Sequence, residues 1–124
     1  MTKEFKDMKG VIAIATTPFN NENLIDFESV DRLSNYYIES KVSGVTILGV
    51  MGEAHKLNIE EQKTLIKRYV NNLINSVPVI VGVSNAGLDN LELLSKFSMD
   101  SGASGVMISG NNGLKNDDQI KSYF

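Results

Sequence analysis

Four short apolar runs along the chain predict four strands, at residues 10–15, 45–48, 77–83 and 106–108. The first run is uninterrupted, which is typical of a strand that is covered on both faces of a sheet. Between the runs, apolar residues recur at the spacing of one helix face, with polar residues in most of the remaining positions. The pattern therefore predicts alternating strands and helices in the order βαβαβαβα.

Polar residues at the start of each helical pattern mark the predicted helix boundaries. Asp26 is placed to cap the first helix, because its side chain can accept hydrogen bonds from N–H groups of the first turn. Residues 58–61 and 116–119 have the form of capping boxes for the second and fourth helices. Either Asp89 or Asn90 is expected to cap the third helix.

This alternation favours an α/β fold with a parallel sheet and right-handed crossovers. A (β/α)8 barrel needs about 250 residues for its eight units, and the 124 residues here supply four units. We therefore predict the first half of a TIM barrel, with one partial barrel domain over residues 1–124 and no second domain. A small doubly wound sheet is the alternative, but it would need one more strand and none follows.

Composition and charge narrow the classes of function. The net charge of −3 leaves no broad basic face, so nucleic acid is not expected as a partner. The longest apolar run, residues 77–83, is too short to span a bilayer, so no membrane partner is expected. The absence of cysteine excludes disulfides, and with His55 as the sole histidine no metal site is expected. These features agree with a cytoplasmic protein.

A stretch bracketed by glycines, residues 49–53, follows the second apolar run and is the main candidate for a binding site. Glycine on both sides of a short turn lets backbone N–H groups point outward. In parallel α/β folds, ligands bind at this end of the strands. A phosphate is the weaker alternative, because the turn lacks the Lys-Ser/Thr pair of a P-loop and the third glycine of a dinucleotide site.

Residues beside this stretch have alternative interpretations. Glu53 is either a general base or a support, whose carboxylate accepts backbone N–H bonds and holds the loop rigid. Thr17 either shapes the floor of a pocket or only ends the first strand. His55 is expected to be an exposed loop histidine.

Five segments together carry a resemblance to a known family. A glycine-led strand ending in Thr-Pro-Phe and an Asp-Phe pair occupy residues 10–19 and 26–27. The Gly-Val-Met-Gly-Glu stretch, with the Leu and Glu-Glu that follow it, occupies residues 49–61. The remaining two, Val-Pro-Val-Ile-Val-Gly-Val and Asp-Ser-Gly-Ala, are residues 77–83 and 100–103. In this order and spacing, the chain resembles the pyruvate-dependent Schiff-base aldolases, the family that contains dihydrodipicolinate synthase and N-acetylneuraminate lyase.

The resemblance implies a mechanism and a set of binding residues. In such enzymes, a lysine on the sixth strand forms an imine with pyruvate, and a tyrosine after the fifth strand relays the proton. The loop after the second strand holds the carboxylate of this 2-oxo acid, which here assigns Val50 and Met51 to binding and Gly49 and Gly52 to the shape of the turn. Neither the lysine strand nor the tyrosine strand lies within residues 1–124, so no catalytic residue is expected in this chain.

Two departures from the family pattern concern the same site. The hydroxyl pair of the family signature is replaced by Val50 and Met51, so only backbone donors remain to hold a carboxylate. The Pro-Tyr-Tyr segment that often follows the fourth strand is replaced by Gly-Asn-Asn-Gly at residues 110–113. We therefore expect a divergent subgroup, in which the classical synthase activity is in question even for a full-length parent.

Three hypotheses for function follow from the sequence. In the first, the chain is the amino-terminal half of a pyruvate-type aldolase or lyase and is inert by itself. Its parent would be a homo-oligomer without a metal or organic cofactor, because in the family the lysine itself is the electron sink. In the second, the chain is a non-catalytic binding module that pairs with another chain through the open edges of its first and fourth strands. In the third, it is a truncated reading frame that does not fold stably.

Overall fold

Four parallel strands, each followed by a helix, make up most of the structure, a computed structural model that describes residues 5–110 and 113–124. The strands are β1 (Ile12–Ile14), β2 (Gly44–Ile47), β3 (Val79–Gly82) and β4 (Gly105–Met107). The helices are α1 (Phe27–Glu39), α2 (Ile59–Leu73), α3 (Leu88–Ser101) and α4 (Asp117–Tyr123). Short 3-10 helices lie at Phe5–Asp7 and Ala54–Lys56.

The strands pair in the order β1-β2-β3-β4, and every pairing is parallel. Because consecutive strands are neighbours throughout, right-handed crossovers place the helices that link them on one face of the sheet. In agreement, α2 packs against both α1 and α3. The order never reverses, as it would in a doubly wound sheet. The predicted βαβαβαβα order with a parallel sheet is therefore confirmed.

Two of the predicted helix caps are confirmed in full. The Asp26 carboxylate accepts a hydrogen bond from the Ser29 N–H group at 3.2 Å. At the start of α2, the Asn58 side chain accepts from the Glu61 N–H group, and the Glu61 carboxylate accepts from the Asn58 N–H group, both at 2.8 Å. This reciprocal pair satisfies two N–H groups that the helix cannot satisfy itself.

The predicted cap of α3 is wrong. The helix begins at Leu88 after Gly87, which has no side-chain cap, so Asp89 and Asn90 lie inside its first turn. The physical reason is the Asn85 side chain, which accepts the Gly87 N–H group at 2.9 Å and reverses the chain before the helix starts.

Only half of the capping box predicted for α4 forms. The Asn116 side chain caps the helix by accepting the Gln119 N–H group at 3.0 Å. The Gln119 side-chain oxygen accepts the N–H group of Lys115 at 2.6 Å and not that of Asn116.

The core lies between the helices and the face of the sheet that they cover. The central helix, α2, contributes an apolar stripe, and its largest members are fully buried: Leu65, Ile66, Tyr69 and Leu73. Against this stripe pack Val45 and Ile47 of β2 and Val79 and Val81 of β3, which are buried as well. Within residues 5–110 and 113–124, no helix has the length and apolar character needed to cross a membrane.

The opposite face of the sheet, here called the inner face, carries no helix among residues 5–110 and 113–124, and β1 shows the consequence. We predicted that β1 is covered on both faces, but Ile12 and Ile14 are 38% and 41% exposed. Successive residues of a strand point to opposite faces, so Ile12 and Ile14 share the inner face, and no element among the described residues covers them there. Strand β1 also lies at an edge of the sheet, whereas all residues of the central strands β2 and β3 are buried.

A charged network joins α1 to α2 at the surface. The two oxygens of Asp31 accept hydrogen bonds from Arg68 Nε at 2.7 Å and Nη2 at 2.5 Å. The Asn72 side chain donates to Asp31 at 2.8 Å and to the Ser34 hydroxyl at 3.2 Å. Mainly because of the Arg68 hydrogen bonds, and then that of Asn72, the pKa of Asp31 is lowered from 3.8 to about 2.

This network predicts a pH-dependent contribution to stability. Since the pKa of Asp31 is lower in the folded state, its contribution is present above pH 3.8 and is lost as the pH falls towards about 2. We expect Asp31→Asn to lower the free energy of unfolding at neutral pH, and the difference from the wild type to shrink over this acidic range. Urea unfolding followed by circular dichroism measures both effects. Glu39→Gln, on the same helix, is the control, and an equal pH-dependent loss in that variant would contradict the assignment.

Candidate functional site

The turn at residues 49–52 is placed at the carboxyl end of β2, where the sequence predicts a binding site. It is closed by a hydrogen bond from the Gly52 N–H group to the Gly49 carbonyl at 3.1 Å. A second bond, from the Glu53 N–H group to the Val50 carbonyl at 3.0 Å, continues it into the 3-10 helix. Leu48 and Glu53, which flank the turn, both have left-handed backbone conformations, with φ of 55° and 54°.

Val50 and Met51 form the exposed tip of this turn. Their side chains are 90% and 59% exposed, so they protrude beyond the carboxyl end of β2. Within residues 5–110 and 113–124, their backbone N–H groups donate to no protein acceptor. Two adjacent N–H groups without protein partners, at the tip of a short turn, are suited to receive an anionic oxygen.

Thr17 ties the end of β1 to this turn. Its hydroxyl donates to the Gly52 carbonyl at 2.6 Å, and the residue is only 5% exposed. Of the two sequence interpretations, the contact therefore supports a role in shaping the site. The preceding residue, Thr16, is held in turn by α2, because the buried Tyr69 hydroxyl donates to its carbonyl at 3.0 Å. Burial raises the pKa of Tyr69, so this phenol remains a neutral donor.

Gly82, at the end of β3, positions the turn from the other side and is not among the site residues predicted from the sequence. A Cβ atom at this position would lie 2.3 Å from the carbonyl oxygen of Leu48. Only glycine therefore permits the backbone of β3 to approach the start of the turn so closely. The sequence carried a signal for it, since a glycine at the end of an apolar strand marks a close approach of another backbone.

Glu53 supports the turn differently from the expectation. Its carboxylate forms an ion pair with Lys56 Nζ and not the predicted hydrogen bonds with backbone N–H groups. The backbone of Glu53 does the supporting, since its carbonyl accepts the Lys56 N–H group at 2.9 Å and its N–H group bonds Val50. His55 is exposed in the same 3-10 helix, as predicted. No cluster of His, Cys, Asp or Glu suited to a metal ion occurs among the described residues.

The described lysines lie outside the strands. Their side chains are exposed, apart from the half-buried Lys63, and several are paired with carboxylates, as in Lys63 with Glu60 and Lys96 with Asp100. The hydrogen bond from Lys96 to Asp100 raises the pKa of that amine. None of the described lysines has the buried surroundings at a strand end that activate an imine-forming amine.

Two grooves of the surface lie away from the turn. One of about 440 Å³ lies between α2 and α3 and is lined by charged residues around Phe97. Another, of about 540 Å³, lies beside α4. Neither includes a residue of the turn at 49–52. Of the Gly-Asn-Asn-Gly segment that replaces the aromatic segment of the family, Asn111 and Asn112 lie outside the described residues.

The contact between Thr17 and Gly52 predicts a matched pair of variants. Thr17→Val keeps the shape of the side chain but leaves the Gly52 carbonyl without its partner, so we expect the free energy of unfolding to fall by about 1–3 kcal/mol. Thr17→Ser retains the donor and is expected to lose less. Urea unfolding gives the stabilities, and NMR chemical shifts of residues 49–53 report on the turn. A larger loss in Thr17→Ser than in Thr17→Val would assign the effect to packing of the methyl group and contradict the role of the hydrogen bond.

Comparison with known proteins supports the sequence resemblance. A model of the dihydrodipicolinate synthetase family matches residues 7–110. The 4-hydroxy-tetrahydrodipicolinate synthase of Thermotoga maritima is 34% identical over 100 residues, which make up 81% of this chain and 34% of that protein. The chain thus spans about a third of the length of the curated relatives it matches.

Solved structures give the same result for the fold. The dihydrodipicolinate synthase of Rhodopseudomonas palustris superposes with a TM-score of 0.85 and 44% identity, over 90% of this chain and 37% of that one. YagE, a prophage protein of the dihydrodipicolinic acid synthase family from Escherichia coli K12, was solved in complex with pyruvate. It matches in fold, with a TM-score of 0.83 and 23% identity over 92% of this chain and 40% of that one. The predicted first half of a barrel is confirmed, and the chain belongs to the dihydrodipicolinate synthetase family.

Proposed function

We propose that the turn at residues 49–52 binds the carboxylate of a pyruvate-like 2-oxo acid. The observation that carries this proposal is the pair of N–H groups at Val50 and Met51, which have no protein acceptor among the described residues. A hydrogen bond to a charged group contributes roughly 1.5–3 kcal/mol, so two backbone donors can hold a carboxylate without the missing hydroxyls. The pyruvate bound to YagE supports the choice of acid.

The reaction that we propose for the whole protein is formation or cleavage of a carbon–carbon bond next to an imine. Residues 1–124 would supply the carboxylate site of this Schiff-base lyase as one partial barrel domain. The imine-forming lysine and the proton-relaying tyrosine would come from later strands. Because Val50 and Met51 stand in place of the hydroxyl pair, the proposal covers the aldolase or lyase class and not the classical synthase reaction in particular. We further propose a homo-oligomeric whole protein in the cytoplasm.

The non-catalytic binding module is not favoured as an alternative. The family match extends over residues 7–110, and so includes the turn and both strands that brace it. A module that served only to pair through its strand edges would not need a braced turn at the carboxyl end of β2.

Removal of one donor tests the carboxylate site. Val50 is the second residue of a four-residue turn, where proline is readily accommodated. Val50→Pro therefore removes the N–H group while keeping the turn. We expect its affinity for pyruvate to fall about tenfold or more, since a hydrogen bond to a charge is lost. Titration of 15N-labelled protein, followed at the Met51 and Gly52 N–H signals, measures this effect. Val50→Ala keeps the donor and should bind as the wild type does; equal binding by all three proteins would contradict the proposal.

Borohydride trapping tests whether this chain alone can form the imine. Because no described lysine lies in a strand, and all are exposed apart from the half-buried Lys63, we expect pyruvate with borohydride to leave no stable adduct. Intact-mass spectrometry, with a reaction without pyruvate as the control, measures the result. A pyruvate-dependent mass increase that maps to one lysine would overturn the assignment of that residue to a later strand.

A further inference from the structure

The side chain of Met51 has no part in the proposed carboxylate site, which uses only the backbone N–H group of this residue. Among the described methionines, that of Met51 is the most exposed. It is 59% exposed, against 49% for Met99 and 43% for Met107, and Met8 is half-buried. A thioether side chain is therefore presented to solvent at the tip of the turn.

Two backbone donors lie beside this side chain in a turn that is held closed. Hydrogen bonds from the Gly52 and Glu53 N–H groups to carbonyls of the turn fix its peptide planes. The N–H groups of Val50 and Met51 donate to no protein acceptor in the described part of the chain. A new acceptor on the Met51 side chain would therefore meet donors that are already oriented and unused.

Oxidation of the sulfur by a hydroperoxide supplies such an acceptor. A lone pair of the sulfur attacks the outer oxygen of the peroxide, so that an S–O bond forms while the O–O bond breaks. The sulfur loses two electrons and the peroxide gains them. With hydrogen peroxide, the departing hydroxide takes up the proton of the transferred oxygen and becomes water. Since the two reactants must meet, the exposed Met51 is favoured over the other described methionines.

The product of this reaction changes the hydrogen bonding at the tip. A thioether is a weak acceptor, whereas a sulfoxide is polar and carries a strongly accepting oxygen. This oxygen is bonded to Sδ, near enough to the backbone to form the local side-chain-to-backbone ring that short polar side chains form in turns. An acceptor on the same residue also acts at a high effective concentration, which a free carboxylate has to overcome.

We propose that Met51 is a reversible oxidation site for hydroperoxides, and that its sulfoxide oxygen accepts the N–H groups of the turn and closes the carboxylate site. This inference rests on the proposed function and adds a means of regulation to it. The reduced thioether leaves the donors open, whereas the oxidised side chain occupies them. Methionine sulfoxide reductases reverse the change, because their thiols become a disulfide while the sulfoxide oxygen leaves as water.

The test compares reduced and peroxide-treated 15N-labelled protein of residues 1–124. Peptide mapping by mass spectrometry should show that Met51 is oxidised before Met99 and Met107. Without any ligand, the Val50 and Met51 N–H groups of the oxidised protein should exchange with deuterium more slowly, because they have gained an acceptor. Pyruvate should bind the oxidised protein about tenfold more weakly, since donors to its charge are lost. Treatment with the reductases for both sulfoxide epimers should restore the affinity.

Methionine variants separate this site from general oxidative damage. Met51→Leu removes the sulfur, so peroxide should not change the pyruvate affinity of this variant from its own value before treatment. Met99→Leu and Met107→Leu are the matched controls, and both should lose affinity on treatment as the wild type does. Met107 gives the stricter control, because its methyl group would lie 3.8 Å from a Cβ atom on Gly49 at the start of the turn.

The outcomes distinguish this inference from the proposed function. If pyruvate shifts the Met51 and Gly52 signals of the reduced protein but binds the oxidised protein equally well, the oxidation switch alone is overturned. A peroxide effect that persists in Met51→Leu, or that disappears in Met107→Leu, overturns it as well. So does a loss of affinity without slower exchange of the two N–H groups. If pyruvate shifts no signal of the turn in the reduced protein, the carboxylate site is wrong and the switch fails with it.

Discussion

The pairing of β2 with β3 is the contact on which the rest of this structure depends. Both strands are completely buried, and their covered face packs against the apolar stripe of α2. Each large aliphatic side chain buried there contributes about 1.5–3 kcal/mol relative to an exposed position. Helices α1 and α3 each pack against α2, and β1 and β4 each add to one side of the central pair. The positions of the outer strands and helices therefore depend on β2, β3 and α2.

The paired strands β2 and β3 also determine the geometry of the candidate site. The turn at 49–52 begins where β2 leaves the sheet, and Gly82 lets β3 lie directly against its first carbonyl. Thr17 then fixes the far side of the turn to β1. Three neighbouring strands thus determine the position of a turn whose own sequence offers few side-chain contacts. The polar groups that the turn exposes are the backbone N–H groups of Val50 and Met51.

Some features that depend on neighbours in sequence could be predicted, although the cap of α3 was not, whereas features that depend on distant segments could not. The side chains of Asp26 and Asn58 cap their helices by accepting hydrogen bonds from N–H groups three residues further along, so the local pattern was sufficient. The exposure of Ile12 and Ile14 depends on what covers the inner face, which no local pattern specifies. The turn could be located from its glycines. The bond from Thr17 to Gly52 spans 35 residues and follows only from the register of β1 with β2. At Glu53, the nearby Lys56 competes successfully for the carboxylate.

The left-handed conformations of Leu48 and Glu53 affect how an anion would bind to the turn at the carboxyl end of β2. Residues with a Cβ atom occupy this region at a cost of roughly 1 kcal/mol or more each, and they remain there only when their surroundings leave no alternative. The energetic cost of orienting the backbone amides between Leu48 and Glu53 is therefore met when the protein folds. Association does not have to order this backbone, and a preorganised cradle of this kind loses less entropy when it is filled.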